Sequence, residues 1–331
     1  MDTSVCLHPV WLPDKGWVPC GKCPVCRMKY RKQMAIRIKM EQNIDKPIYS
    51  YFITLTYNES SIPQFNGRYC FSKKHITTFL DSLKHRLSRD GYTYRYFLTC
   101  EYGEEGYRPH YHAILFLYRY SSDCGRVESV HYPRLTPGMQ APHFFFNDHI
   151  VQPLWSYGFT YQGTVSSASV LYCTSYALKD DELLERDWKG FEHGKPFRRY
   201  SLRPGLGLTE KCCDWFYNYV FNDEKDIRTS IRINAARGPV SSGIPLGIKR
   251  RIKDNYPDFY ESFKMANSSF MEEAQDKLWR SAESHGVSAL YGVHDESPIW
   301  NIIGDFDESI DREIIAFRKA LRKMNKDAHR L

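Results

Sequence analysis

Two runs, YTYRYFLTCEY (92–102) and YHAILFLYRY (111–120), flank the short Gly-containing connection GEEGYRP. Both are dense in β-branched and aromatic residues, and so short a connection joins strands as an antiparallel hairpin. A lone hairpin cannot bury its apolar face, so it needs neighbours. The sequence supplies them. YSYFITLTY (49–57) and GFTYQGTV (158–165) read as further strands. Ser72 can cap a helix whose Ile76, Phe79, Leu80, Leu83 and Leu87 fall on one face. A second helix is expected from Ser166 or Ser167 through Lys179. Strand, helix, hairpin, strand, helix implies an α+β chain: an antiparallel sheet with helices packed on it.

The 331 residues fall into three segments. Residues 1–46 hold a loop-rich cysteine segment and then an amphipathic helix, with Met28, Met34, Ile38 and Met40 interleaved with charge and an end near Asn43. Residues 47–208 contain the sheet, interrupted by a long irregular insert at 121–148. Residues 209–331 read as mainly helical. No apolar run reaches the ~18–20 residues that span a membrane, and the N-terminus lacks the basic start and apolar core of a secretory signal. The expectation is therefore a cytoplasmic protein with reduced cysteines.

Between Lys22 and Lys39 the chain carries Arg27, Lys29, Arg31, Lys32 and other bases with no acid among them. Such a stripe favours a polyanion, because phosphate binding releases counterions. A solvated helix face is the plainer alternative. Cys20, Cys23 and Cys26 are spaced C-x₂-C-x₂-C, with Cys6 upstream, and four thiolates can close a tetrahedral structural Zn²⁺ site.

His110 and His112 are two apart on a strand, so both face one side. Across the hairpin, Glu101 should lie beside His110. Two imidazoles and a carboxylate suit a divalent cation, although the H-x-H pair by itself is equally compatible with a structural role. Tyr172 and Tyr176 share a helical face, joined by Lys179. A core stripe would explain the tyrosines alone; a lysine on a buried face is costly without a partner. Phosphoryl transfer would use all of these groups.

In order and interval, YFITLTY, EYGEEGYRPHYH and YCTSYALK resemble the three motifs of HUH endonucleases, the rolling-circle replication initiators. PCGKCPVCR and SLRPGLG look like segments of the initiator of gokushovirus-type microviruses, small single-stranded DNA phages. The resemblance spans residues 6 to about 210. It implies an RRM/ferredoxin-like sheet and a Mg²⁺ or Mn²⁺ ion on His110, His112 and Glu101. It also implies a tyrosine that joins the 5′-phosphate of a nick and leaves a 3′-OH. In that family a lysine follows each tyrosine by three residues. Tyr176 has Lys179, whereas Tyr172 has Ser175, so Tyr176 is expected as the first nucleophile and Tyr172 as the second.

The partners implied are a single-stranded replication origin and, because no segment has phosphate-loop spacing, a host helicase and polymerase in the bacterial cytoplasm. Arg198, Arg199 and Arg203 are expected to contact phosphates. Two other readings stand beside this one: a non-catalytic zinc-dependent nucleic-acid binder, and an HUH transposase or relaxase.

Overall fold

A computed structural model describes residues 10–13, 16–21, 24–103, 106–119, 146–175, 194–221, 227–235, 238–266 and 280. In chain order these form β1 (Val10–Leu12), β2 (Gly16–Val18), α1 (Pro24–Asn43), β3 (Tyr49–Tyr57), β4 (Gln64–Phe65) and β5 (Arg68–Tyr69). Next come α2 (Lys73–Arg89), β6 (Tyr92–Tyr102), β7 (Pro109–Arg119), a π-helical turn at Asn147–Val151 continued by Gln152–Leu154, and β8 (Gly158–Thr164). The remainder is α3 (Ser167–Ser175), β9 (Arg198–Tyr200), α4 (Glu210–Val220), β10 (Ser230–Ala235), β11 (Gly238–Gly243) and α5 (Leu246–Asn255). A further helix covers 257–266. The chain divides into two units: one within 41–206, the other drawn from 1–40 together with the residues from 207 on.

The 41–206 unit is built on a five-stranded antiparallel sheet in the order β8-β3-β7-β6-β9. The class is α+β, as the element order implied. Along β3, Tyr51, Ile53, Leu55 and Tyr57 turn to one face and join Leu98, Ala113, Leu115 and Leu117 in the main core. Helix α2 covers that face. Ser72 Oγ accepts from the His75 amide at 3.1 Å, and the buried side chains of α2 are Ile76, Phe79, Leu80, Leu83 and Leu87. Each contributes about 1.5–3 kcal/mol of burial free energy, so Leu83→Ala would cost about 2–5 kcal/mol once the cavity is included.

Tyr111, between the two histidines of β7, points into the same core. Its hydroxyl accepts from the Ser72 amide at 2.8 Å and lies 3.1 Å from the Tyr57 hydroxyl, which in turn meets His75 Nδ1 at 3.1 Å. Near one end of the sheet, Glu41 is fully buried and pairs with Arg95. Tyr118 donates to Glu41 Oε1 at 2.8 Å, and Arg95 Nη2 donates to the Gly205 carbonyl at 3.0 Å. Such a buried acid is tolerated because both of its oxygens are satisfied.

In the other unit, α4 starts at Thr209, whose Oγ1 accepts from the Cys212 amide at 3.3 Å, and Tyr217 stacks on Tyr256 at 3.7 Å. The region from 209 was expected to be mainly helical, but β10 and β11 form an antiparallel hairpin inside it. SIRINA does alternate apolar and polar residues, but over too short a stretch to stand out. Helix α1 spans the expected stretch and buries Met28, Met34, Ile38 and Met40. It also buries Arg31 (2% exposed) and Lys32 (3%), while Arg27 and Lys29 are half-buried. A single solvated basic stripe is therefore not what α1 presents. Its apolar residues are spread around too much of the circumference for every base between them to reach water.

Candidate active site

The face of the sheet opposite α2 carries two rows of polar side chains, set by the strand register. One row runs Tyr161, Thr54, His112, Thr99 and Arg198 across β8, β3, β7, β6 and β9; the next runs Phe159, Thr56, His110 and Glu101. Pairing of Glu101 with His110 is what the hairpin predicts, since a connection closing at Tyr102 and Pro109 leaves those two directly opposite.

His112 is held on three sides. Its Nδ1 lies 3.0 Å from Thr54 Oγ1, its Nε2 lies 2.9 Å from Glu101 Oε1, and its ring stacks on Phe52 at 5.7 Å. His110 Nδ1 lies 3.1 Å from Thr56 Oγ1. Burial, with the neighbouring His112 adding to it, lowers the His110 pKa to about 4, so its imidazole is neutral at neutral pH. Neutral imidazole is the form that can offer a lone pair to a metal. The ring rests against Gly103: a Cβ built there would stand 2.9 Å from His110 Nε2.

Helix α3 supplies the phenol. Its start is fixed by a reciprocal serine pair: the Ser169 amide donates to Ser166 Oγ at 3.1 Å, and the Ser166 amide donates to Ser169 Oγ at 2.8 Å. From that start, Tyr172 falls on the sheet-facing side and is only 3% exposed. Its hydroxyl donates to Glu101 Oε1 at 2.8 Å and lies 3.3 Å from His112 Nε2. Ser175 turns its hydroxyl back to the Tyr172 carbonyl at 2.7 Å and brings no charge to the phenol. Cys173 is buried, and its thiol is pushed well above its ordinary pKa by desolvation and by Glu101.

Glu101, His110, His112 and Tyr172 thus lie together, drawn from three elements. Among the described residues no three His, Cys, Asp or Glu side chains already converge on a common point as a finished metal cage. Glu101 and His112 instead touch each other across the place where a cation would sit. The donor set still fits a divalent ion, with two imidazoles presenting Nε2 and a carboxylate between them.

Tyr176 and Lys179 lie outside the described residues, as do Cys6 and Cys23. Cys26 is buried and Cys20 half-buried. Arg198 and Arg203 are exposed. Arg198 occupies the site-face row, whereas Arg199 alternates to the other face, where its Nη1 donates to Thr77 Oγ1 of α2 at 2.8 Å. Sequence reading missed Thr54, Thr56, Phe52 and Gly103, whose contacts come from register rather than from any local motif.

Residues 50–181, the stretch holding the acid, both histidines and both tyrosines, match the family model described as replication-associated protein ORF2. The chain is a relative of phage replication-associated proteins. Replication-associated protein ORF2 of Spiroplasma virus 4 is 26% identical over 249 residues, covering 73% of this chain and 70% of that protein. Replication-associated protein VP4 of Bdellovibrio phage phiMH2K is 28% identical over 163 residues, covering 49% of this chain and 48% of the relative. Replication-associated protein ORF4 of Chlamydia phage 1 is 22% identical over 207 residues, 61% of this chain and 47% of its own length. No solved structure matches. No helix among the described residues is long and apolar enough to cross a membrane.

Proposed function

We propose that this protein is a metal-dependent, tyrosine-nucleophile nicking and joining enzyme that initiates rolling-circle replication of a small single-stranded DNA phage, with an HUH-type, ferredoxin-like catalytic sheet. The observation that carries the reading is the Tyr172 hydroxyl, 2.8 Å from Glu101 and 3.3 Å from His112 on a face that also holds His110. A buried phenol aimed at an acid and a histidine is the arrangement nucleophilic attack on phosphorus requires. The replication names of the phage relatives favour this biology over a transposase or relaxase.

His110, His112 and Glu101 would hold Mg²⁺ or Mn²⁺, which withdraws charge from a non-bridging phosphate oxygen. The phenol oxygen attacks phosphorus, the phenolic proton passes to a carboxylate or water, and O3′ departs and is protonated. The 5′-phosphate stays on tyrosine, so the bond energy is conserved and a free 3′-OH can reverse the step. Tyr176, with Lys179 three residues on, makes the first cut. Tyr172 takes the second, which closes the circle. Arg198 and Arg203 bind backbone phosphates, with Arg27 and Lys29 adding to the field. Cys6, Cys20, Cys23 and Cys26 hold a structural Zn²⁺. Unwinding and synthesis fall to a helicase and polymerase of the bacterial host, in whose cytoplasm the enzyme acts.

Incubation with origin-bearing single strands and Mn²⁺ tests this directly. A covalent protein–DNA band on a denaturing gel, absent from His110→Ala and His112→Ala although both still bind DNA, is the expected result. Wild-type levels of nicking by either variant would remove the metal assignment. Anaerobically purified protein should carry one zinc per chain, lost in Cys20→Ser.

A further inference from the structure

Each histidine of the site is gripped at Nδ1 by a threonine directly opposite it on β3: Thr54 on His112 at 3.0 Å and Thr56 on His110 at 3.1 Å. Both threonines belong to the run YFITLTY and alternate with core residues, so the same pleat that buries Ile53 and Leu55 aims two hydroxyls at two imidazoles. Resting on the proposed metal role of His110, His112 and Glu101, we infer that Thr54 and Thr56 are positioning residues that let the imidazoles exchange tautomers without turning. The argument is one of donors and acceptors.

With no cation bound, His112 Nε2 stands 2.9 Å from Glu101 Oε1. A carboxylate only accepts, so Nε2 must carry the hydrogen. In the neutral ring Nδ1 is then a lone pair, and Thr54 must donate to it. To ligate a cation, Nε2 must instead offer its lone pair. The hydrogen then resides on Nδ1, and Thr54 must accept.

A hydroxyl does both at one distance, by rotating about its C–O bond. A backbone carbonyl or carboxylate at this position would accept only, fixing one tautomer and opposing the Glu101–His112 contact. The proton count of the imidazole is the same in both states, so the exchange needs no net uptake or release by the ring. Thr56 provides the same service to His110, whose ring is also confined by Gly103. The threonines thus fix both rotamers, which favours metal binding, and leave the tautomer free, which allows the resting contact with Glu101.

Thr54→Val and Thr56→Val keep the shape and remove the hydroxyl, whereas Thr54→Ser and Thr56→Ser keep the hydroxyl. Calorimetric titration of the full chain with MnCl₂ should find affinity reduced about 10–100-fold in each valine variant and within about threefold of wild type in each serine variant. Nitrogen-15 NMR of histidine-labelled wild-type protein at pH 8 with chelator should show His112 hydrogenated at Nε2, moving to Nδ1 when Mg²⁺ is added. Valine variants that fold and bind Mn²⁺ like wild type would overturn the inference, as would an Nδ1–H tautomer in the metal-free protein. Should a valine variant not fold, the NMR result alone decides. His112→Ala separates the two layers: unchanged Mn²⁺ affinity there refutes the metal site itself. Lost affinity there with undisturbed valine variants refutes only the threonine role.

Discussion

Gly103→Ala adds a methyl group 2.9 Å from His110 Nε2 and 3.3 Å from Cδ2, where ordinary contact begins near 3.4 Å. The ring must therefore retreat by about 0.5 Å, and it is tethered on its other side to Thr56 at 3.1 Å. A shift of that size takes the tether past good hydrogen-bond length, a stability loss of about 1 kcal/mol. The effect on chemistry should be larger, because a displacement of ~1 Å in a reacting assembly costs about 100-fold in rate. We expect single-turnover nicking in Mn²⁺ to fall about 10–100-fold while the melting temperature drops only a few degrees. Gly106 provides the control. It has φ +73° and only Arg108 Cγ near, at 4.0 Å, so Gly106→Ala should cost about 1 kcal/mol through backbone strain yet nick normally per folded molecule. A Gly103→Ala enzyme with wild-type rate and wild-type Mn²⁺ requirement would show that the position of His110 against Gly103 does not matter.

The tyrosines separate by mass spectrometry of the trapped peptide: Tyr176→Phe should abolish the first adduct, and Tyr172→Phe should spare first-strand nicking but impair strand transfer. DNA found mainly on Tyr172 would reverse that order. Arg95→Ala strands Glu41, which is 0% exposed, and should destabilise folding by about 3–5 kcal/mol in urea titrations without altering which tyrosine reacts. His110 has its folded pKa lowered to about 4 from 6.5, so the unfolded chain takes up its proton first as acid is added. Its stabilising contribution is full above pH 6.5 and is lost as pH falls toward 4, by about 1–3 kcal/mol. In chelator-treated protein the urea midpoint should decline over that window less steeply for His110→Asn; equal slopes would contradict a buried neutral imidazole.

Local chemistry explains what could be foreseen. Ser72 and the five apolar residues of α2 carry a cap and a period, and GEEGYRP forces Glu101 opposite His110, so these were legible without tertiary information. Thr54 and Thr56 looked like ordinary β-formers, because their partners are 58 and 54 residues away and only the β3–β7 register brings them together. The burial of Arg31 and Lys32 was hidden for a related reason. Charge counted along a helix does not say which part of its surface the rest of the chain covers. Arg198 and Arg199 differ by one position, yet the pleat sends them to opposite faces, a distinction that the spacing of a basic loop cannot convey.

Tyr111 gives β7 a register key. A slip of one residue against its neighbours would carry the phenol into the polar rows and drive His110 and His112 into the apolar layer. It would also leave the Ser72 amide at the head of α2 without its 2.8 Å partner. An aliphatic residue between the histidines would resist such a slip only through greasiness, whereas the hydroxyl adds a directional penalty at a specific place. Hairpin alignment is thereby checked from the side of the sheet remote from the chemistry. The two rows of donors come into line only in molecules where the helix cap has also closed.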